Sequence, residues 1–279
     1  MRITATGLAG IALAAFTTAA VTMGTAITPA AAAEKLIVGN EGTYPPFSMV
    51  EPSGALTGIE PELMREACKR MGVECEFAVM DFQALIPSLL QGKIGALGSQ
   101  LTPLPERKAR MNFTIPIIFN HDAFVYKKGK SYDFGKGGLK DARVGVQSGT
   151  PQAKYVATTY PHLQPALYTN PDQMKLDLLN GRLDMVFGAN LNWTSSLIDT
   201  PDGKDWQLAN FTVWTGDPSV PEAERGSSWA VPKGDTALLE KMDAALKSMI
   251  ADCSFTTIRA RFLSVPIAPM EAACVAKAK

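Results

Sequence analysis

Residues 99–113, SQLTPLPERKARMNF, set one arginine, Arg107, directly behind Pro105 and Glu106, with hydroxyls upstream at Ser99 and Thr102. The preceding ALIPSLLQGKIGAL has the look of buried structure, and the prolines that follow stop any long helix. A basic cluster in such a place is either a solvated turn or a binding group. A guanidinium suits the second role: its planar fork matches a carboxylate through two parallel N–H bonds, which a lysine ammonium cannot do. A second segment, GVQSGTPQ (145–152), reads as a strand, a glycine turn and a helix start. Free N–H groups and a partial positive charge at a helix N-terminus hold anions. Both segments therefore offer chemistry for a small carboxylate. There is no serine–histidine pair, nucleotide loop or CxxC, and only His121 and His162 could complete a cysteine metal site, so no metal and no cofactor are expected.

The elements that must position these groups alternate along the chain. KLIVGN reads as a strand, and GIEPELMREACKRMG as a helix with Ile59, Leu63, Ala67 and Met71 on one face. CEFAVM, FQALIPSLLQG and KIGALG continue as strand, helix and strand. This β-α-β-α-β order predicts a parallel sheet with ligands at the carboxyl ends of its strands. The order then repeats through DAFVY, ARVGV, AKYVATTY, QPALY, PDQMKLDLLNG and LDMVFG, and the long amphipathic helix GDTALLEKMDAALKSMIADC closes the series. The reading is α/β: two lobes of similar size, the last helix returning to the first, with a ligand cleft between them.

Composition narrows the partners. The 279 residues carry 27 basic and 27 acidic side chains, so no electrostatic footprint for nucleic acid or anionic lipid exists. Arg2 followed by an uncharged stretch from Gly7 to Val21 and by PAAAAE predicts a signal peptide over residues 1–33, cut before Glu34. Export makes the compartment oxidising. The four cysteines then predict two disulfides between sequence neighbours, Cys68 with Cys75 and Cys253 with Cys274; free buried thiols are the alternative.

From about Lys35 to Leu263 the ordered motifs resemble a known family. They are GTYPPFSMVEPSGALTGIEPELMREACKRMGVECEF, LIPSLLQGKIGALGSQLTPLPERKARMNFTIPI, VGVQSGTPQAKY, LDLLNGRLDMVFG and KGDTALLEKMDAALKSMIADCSFTTIRARFL. The family is the extracytoplasmic solute-binding proteins of family 3, the polar amino acid and opine-binding components of ABC transporters. The resemblance implies the two-lobed periplasmic binding protein fold (type II), each lobe a mainly parallel sheet flanked by helices. Residues 34–122 would form the first part of lobe 1, 123–229 lobe 2, and 230–279 the second part of lobe 1. Two strands would cross between the lobes near Ala123–Tyr126 and Ser228–Val231.

The same resemblance assigns roles. Arg107 would grip the ligand α-carboxylate, helped by Ser99, Thr102, the hydroxyl of Thr150 and the N–H of Gln152; Gln100 would crowd that end. Pro151 stands where relatives carry a hydroxyl residue. Tyr44 and Phe82 would sandwich the ligand stem, and Glu41 and Glu60 would face a cationic side chain. Relatives place an aspartate for the α-ammonium where this chain has Ala189; Asn190 follows and carries no charge. A free α-amino acid and an opine-like derivative with a substituted amine therefore both remain open. The expected function is that of a monomeric periplasmic receptor that hands an amino acid or derivative to an inner-membrane permease. The alternative is a cyclohexadienyl dehydratase-like enzyme on the same fold.

Overall fold

The computed structural model describes residues 35–277. The expected signal peptide lies outside the described residues. The chain begins with β1 (Lys35–Asn40), then a three-stranded antiparallel flap of β2 (Thr43–Tyr44), β3 (Ser48–Val50) and β4 (Leu56–Thr57). Helix α1 (Ile59–Met71) starts on Gly58, whose φ is 118°. A Cβ there would lie 2.6 Å from the Phe47 carbonyl oxygen, so only glycine lets the helix start this close to the flap. Ile59 N and Glu60 N then donate to the carbonyls of Pro46 and Phe47, at 3.1 and 2.9 Å. The aromatic TYPPF segment is thereby pinned to the helix start. Ile59, Leu63, Met64 and Ala67 are fully buried along α1, and a buried side chain of the larger kinds contributes about 1.5–3 kcal/mol.

Next come β5 (Glu74–Val79), α2 (Phe82–Leu90), β6 (Ala96–Leu101), the single turn α3 (Pro105–Lys108) and β7 (Met111–Phe113). The chain then passes to a second sheet. There β8 (Asp122–Lys127), β9 (Val144–Gln147), α4 (Pro151–Thr159), β10 (Ala166–Tyr168), α5 (Pro171–Leu179), β11 (Met185–Ala189), α6 (Asn190–Trp193) and β12 (Trp206–Leu208) follow in order. A connection over 209–227 leads back to β13 (Ser228–Pro232), α7 (Thr236–Ala251), α8 (Ser254–Ala260) and α9 (Ala272–Lys277). The sheet orders are β5-β1-β6-β13-β7 and β10-β9-β11-β8-β12.

In each sheet the three βαβ strands are parallel, the strand beside them (β13 or β8) runs against them, and the edge strand (β7 or β12), antiparallel to that neighbour, runs with the set. Each antiparallel strand beside that parallel set, β8 and β13, is the first after a crossing, so it enters its sheet from the opposite end. This corrects the expected crossings. Residues 123–126 and 228–231 lie wholly inside β8 and β13, while the passages themselves run through 114–121 and 209–227. Those passages touch where Ile118 bridges Ser227. Helix α7 returns to the first lobe, where Met242, Leu246 and Met249 share one buried core with Leu63, Met64 and Trp229. Both cysteine pairs are joined: Cys68 to Cys75 ties α1 to β5, and Cys253 to Cys274 ties the α7–α8 corner to α9.

Candidate ligand-binding site

A cavity lies at the carboxyl ends of β1, β6 and β9, where an open α/β sheet leaves room for a ligand. Glu41, Tyr44, Phe82, Ser99, Gln100 and Thr102 line it from the first lobe, and Thr150, Gln152 and Ala189 from the second. All nine belong to the expected set. The structure adds Asn120, Asp122, Gln147, Pro151, Thr215, Arg225 and Ser227.

Glu41 is held by its neighbours. Asn40, at the end of β1, donates to the Gly98 carbonyl at 2.5 Å and accepts from Gly42 N at 3.0 Å and from the Ser48 hydroxyl. This buried knot locks the turn that aims Glu41 into the cavity. One Glu41 oxygen accepts from the Gln147 side-chain amide and, at 3.2 Å, from the Thr43 hydroxyl. Burial to 4% exposure pushes the carboxyl up to about 7, because a charge far from water is disfavoured; the two hydrogen bonds offset only part of that.

Asp122 is the second carboxylate of the cavity, 2% exposed. Its Oδ1 accepts from Gln152 Nε2 at 2.7 Å and its Oδ2 from the Thr215 hydroxyl at 2.6 Å. Burial raises it to about 6 against these bonds. In the β8–β11 ladder Asp122 is paired with Ala189. Directly opposed residues of an antiparallel pair project from the same face. Among the described residues no ion pair involves Glu41, Glu60 or Asp122.

Three expected residues stand elsewhere, and one contributes differently. Arg107 is no surface charge, being 8% exposed, but it does not line this cavity. It lies behind it, donating to the Thr102 carbonyl at 3.1 Å and, across the lobes, to the Gly149 carbonyl at 2.9 Å. Burial pulls its pKa down to about 10. Two of its five N–H donors are thus engaged. Glu60 sits one layer deeper, accepting from Gln100 N at 3.2 Å. Its other oxygen has no partner, and burial drives its carboxyl well above the usual range. Asn190 begins α6 and accepts from the Thr194 hydroxyl at 3.2 Å. Successive residues leaving a strand face opposite ways, so with Ala189 toward the cavity Asn190 turns from it. Thr150 lines the cavity, yet its hydroxyl proton goes to the Gln147 carbonyl at 2.6 Å while its oxygen caps α4 through Ala153 N at 3.2 Å. It has no proton left for a ligand carboxylate.

The residues missed by sequence reasoning divide by signal. Gln147 ends an apolar strand just before the glycine turn, and Asp122 is a charge at the head of the apolar AFVY; polar residues at such strand ends were legible cues. Thr215 and Arg225 lie in the irregular 209–227 connection, which has no periodicity to read.

Two α/β sheets joined by two passages, with a polar cavity at their strand ends, define a bilobal solute-binding protein. The chain belongs to the bacterial extracellular solute-binding proteins, family 3, whose model matches residues 36–265. It is 32% identical over 232 residues to ABC transporter arginine-binding protein 1 of Escherichia coli K12, covering 82% of this chain and 90% of that protein. To the L-arginine-binding protein of Pseudomonas aeruginosa it is 30% identical over 245 residues, covering 86% and 92%. Among solved structures, an ancestral arginine-binding protein bound to arginine superposes with a TM-score of 0.74 at 29% identity, covering 82% of this chain and 98% of that one.

Proposed function

We propose that this protein is the periplasmic receptor of an ABC transporter, closing on a basic amino acid and carrying it to a membrane permease. The observation that carries the reading is the pair of buried carboxylates, Glu41 and Asp122, in one cavity, neither of them ion-paired among the described residues; Arg225 in the same lining donates instead to the carbonyls of Val220 and Trp214. An unpaired buried charge is costly, and a ligand bearing two cationic groups relieves both. Tyr44 and Phe82 supply flat apolar surface for the methylenes between them. Arg107 and the N-terminus of α4 remain the groups for the ligand carboxylate; three guanidinium donors are uncommitted, and Gly149 O is the bond to exchange. The names of the arginine-binding relatives point the same way. Delivery to a permease, the monomeric state and removal of residues 1–33 belong to the same reading.

A thermal-shift panel of amino acids, opines and guanidino acids on unliganded protein tests it. Arginine, lysine, ornithine or histidine should raise the melting temperature, a ligand at 100 times its Kd adding about 2.7 kcal/mol. A response to opines alone would replace the basic amino acid by a substituted one. Consumption of prephenate or arogenate would instead mark an enzyme.

A further inference from the structure

We infer that Asp122 is the residue that takes the ligand's α-ammonium, supplying from β8 the carboxylate that β11 lacks at Ala189. The inference rests on the amino acid reading above and assigns one of its contacts. Ala189 and Asp122 face each other in the ladder, so their side chains share one face and one patch of the cavity wall. A methyl group on one strand leaves open the space into which the carboxylate on the other reaches.

The surroundings of Asp122 distinguish it from Glu41. Gln152, whose side chain donates to Asp122 Oδ1, is the second residue of α4, so Asp122 stands beside that helix N-terminus. An α-amino acid carries its ammonium and carboxylate on one carbon. Pro151 has no N–H and Ala153 N is bound to the Thr150 cap, so Gln152 N is the donor left in that first turn; a carboxylate there brings the α-ammonium to Asp122 and directs the side chain away from it. Glu41, fixed by Thr43 of the flap and by Gln147 at the end of β9, is left for the distal cation.

The carboxylate is also set up as an acceptor. Gln152 and Thr215 hold it from two sides, which fixes its direction and leaves lone pairs for a third donor. Thr215 comes from the 209–227 connection, whose Val213 exchanges backbone hydrogen bonds with Asp122 in both directions, at 2.7 and 3.0 Å. A neutral ligand amine, or a bulky substituent on it, would meet this corner poorly. The site is accordingly specific for a free primary α-ammonium.

Calorimetry with L-arginine and L-lysine, each paired with its deamino counterpart (5-guanidinopentanoate and 6-aminohexanoate), tests the assignment. Wild type should bind each amino acid far more tightly than its deamino form. Asp122→Asn should weaken the amino acids about 10- to 100-fold while changing the deamino acids less than about threefold, the loss of one charge-assisted hydrogen bond. Asp122→Ser serves as a second variant, and Ala189→Asp in the Asp122→Asn background should restore the preference for the amino acid. Equal weakening of both ligand types in both variants, or an unchanged preference, overturns the assignment while leaving the receptor reading intact. Wild type that binds none of the four compounds overturns both.

Discussion

The side-chain amide of Gln147, at the end of β9 in the second lobe, donates to the carboxylate of Glu41, at the end of β1 in the first. This bond spans the cleft at its centre. It joins two further links across the lobes: Arg107 to the Gly149 carbonyl at 2.9 Å, and Asn192 Nδ2 to the Pro45 carbonyl at 3.0 Å. The described conformation is therefore closed. A ligand cation can take over the Glu41 oxygens and a ligand carboxylate the place of Gly149 O on Arg107, while the Asn192 link can persist.

Closure should follow the ligand. Half of the cavity comes from each lobe, so a ligand that touches both shifts the population toward the closed state. Small-angle scattering should show a smaller radius of gyration with saturating arginine or lysine than without. An identical radius in both conditions would mean that these passages do not act as a hinge.

Glu41→Gln should cost about 1.5–3 kcal/mol in affinity for arginine or lysine, the worth of a hydrogen bond to a charged group. Glutamine, lacking a side-chain cation, should be nearly indifferent to the change. Calorimetry with the three amino acids makes the comparison. Equal losses for all three would indicate that Glu41 only supports the fold.

The raised carboxyls give a pH signature. Unfolded, Glu41 and Asp122 titrate near 4.5 and 3.8; folded and unliganded, at about 7 and about 6. Between those values the folded state holds more protons, so stability falls as pH rises. The unliganded protein should lose on the order of 4 kcal/mol from pH 5 to pH 7.5, Glu41 contributing the larger share. A cationic ligand favours the ionised forms, so its affinity should rise over the same range, by up to about tenfold per pH step for each group. Denaturant melts and calorimetry at both pH values read the two opposite slopes. An affinity that does not change would place the ligand's charges elsewhere.

Arg107→Ala should weaken binding by about 2–5 kcal/mol if the guanidinium meets a buried ligand carboxylate. Arg107→Lys should restore little, since one ammonium cannot reproduce a fork bonded to the Thr102 carbonyl and a ligand carboxylate. Near-wild-type affinity in both variants would make Arg107 a lobe-to-lobe strut only.

The C-terminal segment has its own anchor. Arg259 and Glu271 are 3% and 1% exposed, joined by bonds of 2.8 and 2.7 Å to one carboxylate oxygen. The other oxygen accepts from Ile267 N at 2.7 Å and Ala268 N at 3.2 Å. Glu271→Ala leaves the guanidinium buried and unpaired, which should destabilise the protein by about 3–5 kcal/mol. Urea unfolding measures it, and a loss under 1 kcal/mol would show that water reaches Arg259.

Local rules made much of this protein legible in its sequence. The spacing of Ile59, Leu63 and Ala67 marks α1 because residues three and four apart share a helical face. Pro61 suits its first turn and Gly72 its stop, and cysteines seven and 21 residues apart join neighbouring elements. The order of strands and helices entails parallel sheets and a cleft at their ends, and the TYPPF, SQLTP and SGTPQ segments name most of that cleft's walls. Other features depend on contacts between distant segments, which no local pattern carries. That Thr150 spends its hydroxyl on capping α4 follows from where Gln147 leaves its carbonyl. That Glu60 lies a layer beneath the cavity follows from the meeting of the α1 start with Gln100 of β6, 40 residues on. Above all, Asp122 and Ala189 are 67 residues apart in sequence, and their pairing is set by the register of an antiparallel ladder. A shift of one residue would turn Asp122 to the other face, and only the packed sheet holds that register.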